Sequence, residues 1–412
     1  MHKLWLQNKF KPEKKPIEKQ TNARSLAHMF AGKVSPSDGF FYASDYAKIY
    51  NFPAPQPAVF GIVSFGGGLY GNAKQMPNSS YPTLKFTLDD KSDMFKSWSL
   101  YGISTKNFPS VYIVQLGARN SPRQPDTIEN TLDVTTIGAC CPHSKAIIVV
   151  YLAPNTVGGF RAAFNAAISG TIINRYKIKP NVISCSWGAT ESAWPRDDLT
   201  GNGINKILSR STVPICAATG DSGAANGLSS ANVNFPASSP YVIACGGTTL
   251  VSPLRSYSGE GTSETAWSYS QLLKWGGGGG YSKVYPMPSW QSELVGSQPA
   301  LAAANRKRAI PDIAMNADPS TGILMYNGGR LVPGMGGTSI VSPAMAALIG
   351  CMNIPSLTLA KLYKPLTYPP YHDVTSGNIG EGIAATVRYD CCTGIGSIDG
   401  KALATAIRDQ KV

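Results

Sequence analysis

Two continuous apolar runs predict strands buried in the interior of the protein. Ala146–Tyr151 is one such run, and Val213–Ala218 is a second that leads into a glycine-rich turn. Unbroken apolar runs of this length are typical of strands covered on both faces, as in a parallel sheet. Asp221 follows the second run where the carboxyl end of a strand would lie, and ligands bind at such ends in open parallel sheets. As an isolated loop residue, Asp221 would instead cap a turn.

Apolar residues at helical spacing predict a helix over Asp126–Val134. Glu129 and Asp133 stand four residues apart in this segment, so their carboxylates share one face of the helix. A buried carboxyl pair that shares a proton can act as a general base. The alternative is two acids on a solvated helix face.

In the segment Gly336–Leu348, Ser339 stands immediately ahead of an apolar, alanine-rich run that predicts a second helix with Pro343 in its first turn. A proline is tolerated there because the first N–H groups of a helix have no partner within it. Ser339 would then lie at the helix N-terminus, where free N–H groups and the helix dipole favour developing negative charge. That position suits a nucleophile, and the alternative is a serine that caps the helix.

A serine nucleophile needs a base within hydrogen-bond reach, and the four histidines are weak candidates for it. His2 and His28 lie in a basic N-terminal segment. His143 precedes the apolar run that begins at residue 146, and His372 lies in a late loop. The carboxyl pair of the first predicted helix is the better candidate.

Several ordered motifs resemble those of the sedolisins, the serine-carboxyl peptidases, and most closely the kumamolisin-like members. The motifs are Ile183–Gly188, Gly220–Gly223, Asn234–Val242, Cys245–Thr248, Pro311–Ala314 and the serine segment Gly336–Leu348. The resemblance extends over roughly residues 40 to 410. It implies an α/β fold of the subtilisin-like three-layer type with a mainly parallel central sheet, in a peptidase domain over residues 36–412.

The same resemblance implies roles for four residues. Ser339 is the nucleophile, Glu129 the general base and acid, and Asp133 the partner that orients Glu129. Asp221 donates a hydrogen bond to the oxyanion, which requires its protonated form, and burial near other carboxyls is expected to raise its pKa above the usual value of about 3.9. The expected activity is that of a serine-type endopeptidase with a Ser-Glu-Asp triad, favoured at acidic pH. The alternatives are a tripeptidyl-peptidase of the same family and an inactive structural or packaging protein that retains the fold.

The resemblance also indicates which residues border the substrate. The backbone of Ser186, Trp187 and Gly188 is expected to line the cleft, and Asn234 stands where some relatives carry an aspartate for a basic P1 side chain. Ser64 stands where kumamolisin-like enzymes carry a glutamate that extends the carboxyl network. Because a serine cannot share a proton in that way, the strongly acidic optimum of such relatives is not expected to transfer unchanged.

Two late segments resemble the calcium loop of the family. The implied ligands of one structural Ca²⁺ are the side chains of Asp373 and Asp390 and the carbonyls of Val374, Thr386 and Arg388. Calcium binds six to eight oxygen ligands, so carboxylates and carbonyls suit it. Relatives often carry glycine at the positions of Thr386 and Arg388, and this chain departs from them there.

Composition adds expectations about partners and location. The chain has 412 residues, a net charge of +13 and eight cysteines, whose spacing fits no zinc site and leaves their redox state open. Residues 1–35 form a basic leader that we expect to be flexible and able to contact an acidic surface, and no nucleic-acid motif accompanies it. No apolar run predicts a signal peptide or a transmembrane segment. We expect a monomer, in a virus-encoded or packaged setting or in an acidic compartment.

Overall fold

The structure, a computed structural model, describes residues 40–253, 255–295, 306–354, 357–364 and 370–409. The predicted basic leader, residues 1–35, and the predicted domain start at residue 36 lie outside the described residues. The described α-helices are α1 (Ala43–Ile49), α2 (Asp93–Leu100), α3 (Thr127–Cys140), α4 (Val157–Ser169), α5 (Arg196–Thr200), α6 (Ile204–Leu208), α7 (Ser289–Val295), α8 (Thr338–Met352), α9 (Leu359–Tyr363) and α10 (Gly400–Asp409).

The described strands belong to one large sheet and several small two-stranded sheets. They are β1 (Val59–Phe65), β2 (Ala73–Gln75), β3 (Thr83–Phe86), β4 (Ser110–Gln115), β5 (Ile147–Ala153), β6 (Thr171–Ile173), β7 (Tyr176–Ile178), β8 (Val182–Cys185), β9 (Ala189–Thr190), β10 (Ile215–Ala218), β11 (Asn234–Phe235), β12 (Ile243–Val251), β13 (Ser263–Ala266), β14 (Gly280–Pro286), β15 (Lys307–Ile310), β16 (Ile313–Asn316), β17 (Ile323–Asn327), β18 (Arg330–Met335), β19 (Tyr371–His372), β20 (Asn378–Gly380), β21 (Ile383–Ala384) and β22 (Ser397–Ile398).

The large sheet has the strand order β13-β12-β10-β8-β1-β5-β4-β3-β2, and β16 also pairs with β12. The pairings from β12 through β4 and the β12–β16 pairing are parallel. Strands β13, β3 and β2 add antiparallel pairs at the two edges. The prediction of a mainly parallel central sheet is therefore confirmed.

Helices cover both faces of this sheet, which gives three layers. Side chains of successive strand residues point to opposite faces. Phe60 and Ile62 of β1 accordingly join a core cluster that also contains residues of α3 and α8. Val63 and Phe65 of the same strand join a second cluster with residues of α4 and α6. The predicted three-layer α/β fold is confirmed, and α3 and α8 share one layer.

Both apolar runs of the sequence form central strands. Ala146–Tyr151 corresponds to β5 and Val213–Ala218 to β10, and both strands have nearly all their residues buried. Their carboxyl ends lie at one edge of the sheet because β5, β1, β8 and β10 run parallel. None of the described helices is long and apolar enough to cross a lipid bilayer.

A buried ion pair joins the sheet to the late loops. The guanidinium of Arg308 makes two hydrogen bonds to Asp312, of 2.7 and 2.6 Å, and both side chains are fully buried. The Asp312 carboxylate also accepts a hydrogen bond from the Ala244 N–H in β12, and its carbonyl accepts one from the Ile395 N–H. Removing one partner of such a pair leaves a buried charge unpaired, which is strongly destabilising. The pair therefore helps to hold Asp312 against the central sheet, and the Asp312 main-chain carbonyl in turn binds the Ile395 N–H.

Candidate active site

Two glycines turn the chain into α8 and place Ser339 at its start. A Cβ atom at Gly336 would lie 2.5 Å from the carbonyl oxygen of Ala317, so no larger residue fits there without movement. Gly337 has a φ of +97°, a backbone conformation that favours glycine. Ser339 is the second residue of α8, is buried, and its Oγ makes no hydrogen bond within the described residues.

Pro343 is the sixth residue of α8, so the prediction that it lies in the first turn of the helix is wrong. A proline has no N–H, and the carbonyl oxygen of Ser339, four residues earlier, therefore lacks its helical donor. The hydroxyl of Ser186 lies 3.2 Å from that oxygen, as a donor to it. The proline thus leaves the backbone of the candidate nucleophile open to a contact from Ser186.

Ser186 also contacts the carboxyl pair. Its Oγ lies 2.6 Å from Oδ1 of Asp133. A hydroxyl has one hydrogen to donate. With Asp133 ionised, Ser186 donates to the carboxylate, and with Asp133 protonated, the carboxyl donates to Ser186, which donates to the Ser339 carbonyl. The Ser186 hydroxyl thus lies between the carboxyl pair and the backbone of the candidate nucleophile, and it donates to the Ser339 carbonyl only while Asp133 is protonated.

Helix α3 carries both predicted carboxyls into the interior. Glu129 and Asp133 are each 0% exposed, so they do not form a solvated helix face. The helix packs along α8 and approaches the chain after β1 at Gly67, where a Cβ atom would lie 2.5 Å from the Thr127 nitrogen. Burial raises the pKa of Cys185, and the negative charges of Asp133 and Glu129 add to that rise. Both carboxyls therefore lie near the end of β8, the strand that leads to Ser186.

An uncharged hydrogen-bond network adjoins this pair. The hydroxyl of Ser64 donates to Oδ1 of Asn130 and accepts a 3.1 Å hydrogen bond from the indole N–H of Trp187. The amide nitrogen of Asn130 donates to the carbonyl of Gly66 at 2.9 Å. The sequence analysis did not predict a role for Asn130, although its position between Glu129 and Asp133 places it on the same helix as both acids. The network ties α3 to β1 and to the segment after β8.

Asp221 lies in the loop after β10 and contacts the first residue of α8. Its Oδ1 accepts hydrogen bonds from the Thr338 N–H at 2.7 Å and from the Thr338 hydroxyl at 2.8 Å. The N–H of Gly220 donates to the same hydroxyl at 3.0 Å. The loop thus brings Asp221 to the N-terminus of the helix that carries Ser339. Thr338 was also missed in the sequence, although it directly precedes Ser339.

A glycine-rich segment supports this loop from the other side. The N–H of Gly276 donates to the Asp221 carbonyl at 3.1 Å, and the N–H of Gly278 donates to the Gly220 carbonyl at 2.8 Å. A Cβ atom at Gly278 would lie 2.5 Å from the Thr219 carbonyl oxygen. The close approach of the two segments therefore requires glycine at this position.

The residues predicted to border the substrate lie beside these elements, and most of their side chains contact protein. Trp187 is buried, and its indole N–H donates a hydrogen bond to the Ser64 hydroxyl. Gly188 approaches β11 closely, since a Cβ atom there would lie 2.8 Å from the Phe235 carbonyl. The Asn234 side chain is buried and donates to the Thr219 carbonyl at 3.0 Å, so it supports the loop that leads to Asp221.

The five predicted calcium ligands lie in two neighbouring loops. The Arg388 N–H donates to Oδ2 of Asp373 at 2.7 Å. The carboxylate of Asp390 accepts hydrogen bonds from three backbone N–H groups, those of Thr386, Cys392 and Thr393.

The chemistry of this predicted set suits a hard cation. All five ligand atoms are oxygens, and burial raises the pKa of Asp390 although its backbone donors oppose the rise. A nearby cation would favour the ionised form of this buried carboxylate. Among the described residues, no group of three or more His, Cys, Asp or Glu side chains could hold a metal ion. A calcium site here would therefore depend on the carbonyls of Val374, Thr386 and Arg388 as well as on the two aspartates.

The two described histidines lie away from the start of α8. His143 lies just before β5, at the amino end of the parallel strands, whereas Ser339 lies with the loops at their carboxyl ends. His372 lies in β19 and stacks on Tyr257 with 3.6 Å between ring centroids. Burial lowers the pKa of His372, which favours its neutral form.

Comparison with known proteins gives consistent matches. The chain is 34% identical over 392 residues to kumamolisin from Bacillus sp. (strain MN-32), covering 88% of this chain and 63% of that protein. It is 31% identical over 355 residues to sedolisin from Pseudomonas sp. (strain 101), covering 78% of this chain and 56% of that protein. The chain thus spans less than two thirds of the length of either relative. No family model matches the chain.

A solved structure supports the same relationship. Pseudomonas sedolisin, described as a serine-carboxyl proteinase complexed with two molecules of pseudo-iodotyrostatin, superimposes with a TM-score of 0.72 at 28% sequence identity. The match covers 90% of this chain and 98% of that one. This match and the mainly parallel sheet with helices on both faces indicate the same subtilisin-like fold. These matches support a sedolisin-family, kumamolisin-like protein over the part of the relatives that this chain spans.

Proposed function

We propose that this protein is a serine-carboxyl peptidase that hydrolyses peptide bonds through an acyl-enzyme on Ser339. The observation that carries the proposal is the pair of connections at the start of α8. Ser186 Oγ lies between Asp133 and the Ser339 carbonyl, and Thr338, the residue before Ser339, donates two hydrogen bonds to Asp221. These contacts support the proposal because they bring the carboxyl pair and Asp221 to the helix N-terminus that carries Ser339.

In the proposed mechanism, Glu129 accepts the Ser339 hydroxyl proton as Oγ attacks the substrate carbonyl. Asp133, with Ser186 bound to it, keeps the Glu129 carboxyl oriented. The protonated Asp221 donates a hydrogen bond to the oxyanion that forms, and backbone N–H groups at the start of α8 add partial positive charge. Glu129 then returns the proton to the leaving amine, and water hydrolyses the acyl-enzyme by the same steps in reverse.

This mechanism favours acidic pH. Asp221 acts only while it carries a proton, so its ionisation removes the donor from the oxyanion. Acidic surroundings would then be needed for activity, in line with the expected acidic compartment or packaged setting. The uncharged network of Ser64, Asn130 and Trp187 adds no further titrating carboxyl beside the pair.

Cleavage of an internally quenched peptide tests the proposal and separates endopeptidase from tripeptidyl-peptidase activity. We propose endopeptidase activity and expect cleavage at an internal bond even when the peptide N-terminus is acetylated, with products identified by mass spectrometry. Release of tripeptides from the free peptide only would favour the tripeptidyl-peptidase. If the folded wild type and Ser339→Ala are equally inert from pH 3 to pH 8, the inactive structural protein becomes the better interpretation.

We also propose one structural Ca²⁺, held by the side chains of Asp373 and Asp390 and the carbonyls of Val374, Thr386 and Arg388. When bound, the ion would neutralise the two carboxylates and join the two loops that carry them. Support comes from the oxygen chemistry of this set, which lies in two neighbouring loops. Arg308 and Asp312 anchor the adjacent chain, so loop and sheet would be stabilised together.

We expect a calcium chelator to lower the Tm of the wild type by roughly 3–5 °C. A ligand at 100 times its Kd stabilises the folded state by about 2.7 kcal/mol, and each kcal/mol corresponds to about 1–2 °C in a domain larger than about 250 residues. Asp390→Asn should start from a lower Tm and lose the response to the chelator, whereas the exposed control Glu260→Gln should keep it. An unchanged wild-type Tm with and without the chelator would remove calcium from this account.

A further inference from the structure

The Thr338 hydroxyl makes hydrogen bonds whose directions are fixed by chemistry. The Gly220 N–H can only donate, so the hydroxyl accepts that bond of 3.0 Å. Its single hydrogen then points to Oδ1 of Asp221, 2.8 Å away. Thr338 and Asp221 are both 0% exposed, so water does not compete for these bonds.

These directions distinguish the two oxygens of Asp221. Oδ1 accepts two hydrogen bonds from Thr338, one from the backbone N–H and one from the hydroxyl. An oxygen that accepts two donors is a poor site for a proton of its own. A proton on this carboxyl therefore belongs on Oδ2.

We propose that Thr338 is a positioning residue that fixes Oδ1 of Asp221 as the acceptor and so presents Oδ2 as the donor to the reacting carbonyl. The inference rests on the proposed function, since it concerns how Asp221 is oriented for that reaction. Thr338 contacts neither Glu129 nor substrate in this account and acts only through Asp221. Gly220, with a φ of +117°, allows the loop to turn its N–H onto the threonine hydroxyl.

Removing the hydroxyl would have two separable effects. The carboxyl would lose one of two constraints on its rotation, which lowers kcat. The ionised carboxylate would lose a hydrogen-bond donor, and loss of such a donor raises the pKa of an acid. The alkaline limb of the pH profile would therefore move to higher pH. A general loss of function would lower kcat without moving this limb.

Other titratable groups pack around this loop and must be separated from Asp221. Glu129 and Asp133 lie on α3, which packs against α8. Tyr269 contacts Gly223 of this loop and Gly276 of the glycine-rich segment beside it. Cys245 lies in β12, and its carbonyl accepts a hydrogen bond from the Thr219 N–H. The Asp221→Asn background distinguishes them, since a pH effect that acts through Asp221 disappears there.

The test compares Thr338→Val with Thr338→Ser, alone and combined with Asp221→Asn, by kcat and KM between pH 3 and pH 8. Valine keeps the shape and the backbone N–H but lacks the hydroxyl, and serine restores it. We expect Thr338→Val to lower kcat about tenfold with little change in KM and to move the alkaline limb up by about one pH unit. Thr338→Ser should behave like the wild type, and Thr338→Val should cause no limb shift in the Asp221→Asn background.

The outcomes separate this inference from the proposed function. An active wild type with an alkaline limb that Thr338→Val leaves in place would overturn the role of Thr338, even if kcat falls. A wild type that does not cleave peptides would overturn the proposed function itself. If Thr338→Val does not fold, Thr338→Ala provides the same comparison, and a shared alkaline limb in wild type and Thr338→Ala overturns the inference.

Discussion

Replacing Glu129 by Gln is expected to lower kcat about as far as replacing Ser339 by Ala, by a factor of about 10,000 or more. Residues that act as one catalytic unit lose function together, so removing the base should cost nearly as much as removing the nucleophile. Gln retains the size of the buried Glu129 side chain but cannot accept and return a proton as a carboxylate does. Burst and steady-state kinetics on one peptide substrate measure both variants.

The histidines provide the controls for this prediction. His143→Ala and His372→Ala should retain most of the activity because both residues lie away from the start of α8. Unfolding midpoints for all four variants separate a loss of chemistry from a loss of folded protein. If Glu129→Gln is active and one histidine variant is inactive, the base is that histidine and the carboxyl mechanism is wrong.

Replacing Asp221 by Asn is expected to make the enzyme slower but less sensitive to alkaline pH. The wild-type kcat should fall as pH rises because ionisation removes the proton that Asp221 donates to the oxyanion. The amide of Asn donates at every pH in this range, so the alkaline limb should flatten. It donates less strongly and in a different geometry, so the plateau should lie about ten- to a hundredfold below that of the wild type.

The measurement is a profile of kcat from pH 3 to pH 8 for both proteins on one substrate. The position of the wild-type limb reports the pKa of Asp221 in the enzyme–substrate complex. Identical alkaline limbs in the two proteins would assign the ionisation to another group. A wild-type activity that rises steadily from pH 5 to pH 8 would contradict both the role of Asp221 and the expected preference for acidic conditions.

Apolar patterning predicted the framework of the fold. The runs that form β5 and β10 are continuous because both faces of these strands are covered, and that condition is visible in the sequence. Helix α3 was harder to interpret. Its apolar positions predicted a helix, but Glu129, Asn130 and Asp133 are buried as well, and local spacing does not distinguish a solvated polar face from one packed against another helix.

The hydrogen bonds within the site could not be predicted from the sequence, for a different reason. Ser186 reaches the Ser339 carbonyl because Pro343 removes the helical donor, and this requires knowing where α8 begins. The placement of Pro343 in the first turn was wrong because the helix begins earlier, directly after Gly337. Helix boundaries are set by tertiary contacts as well as by capping residues.

Contacts between distant segments could not be predicted from spacing. Thr338 and Asp221 lie 117 residues apart in the chain, and Ser64 and Trp187 lie 123 apart. Only the folded sheet brings these pairs together, since each involves a loop at the carboxyl end of a parallel strand. The family resemblance supplied the candidate roles of Ser339, Glu129, Asp133 and Asp221, and the hydrogen bonds among their neighbours indicate how those roles depend on one another.

Covalent labelling of Ser339 tests the central claim most directly. The folded protein is treated with a fluorophosphonate probe across acidic and neutral pH, and the modified residue is located by peptide mass spectrometry. We expect one adduct, on Ser339, that forms faster at acidic than at neutral pH and is strongly reduced in Glu129→Gln. An adduct on a different residue, or none on Ser339 at any pH at which the protein cleaves peptides, would contradict the assignment of Ser339 as the nucleophile.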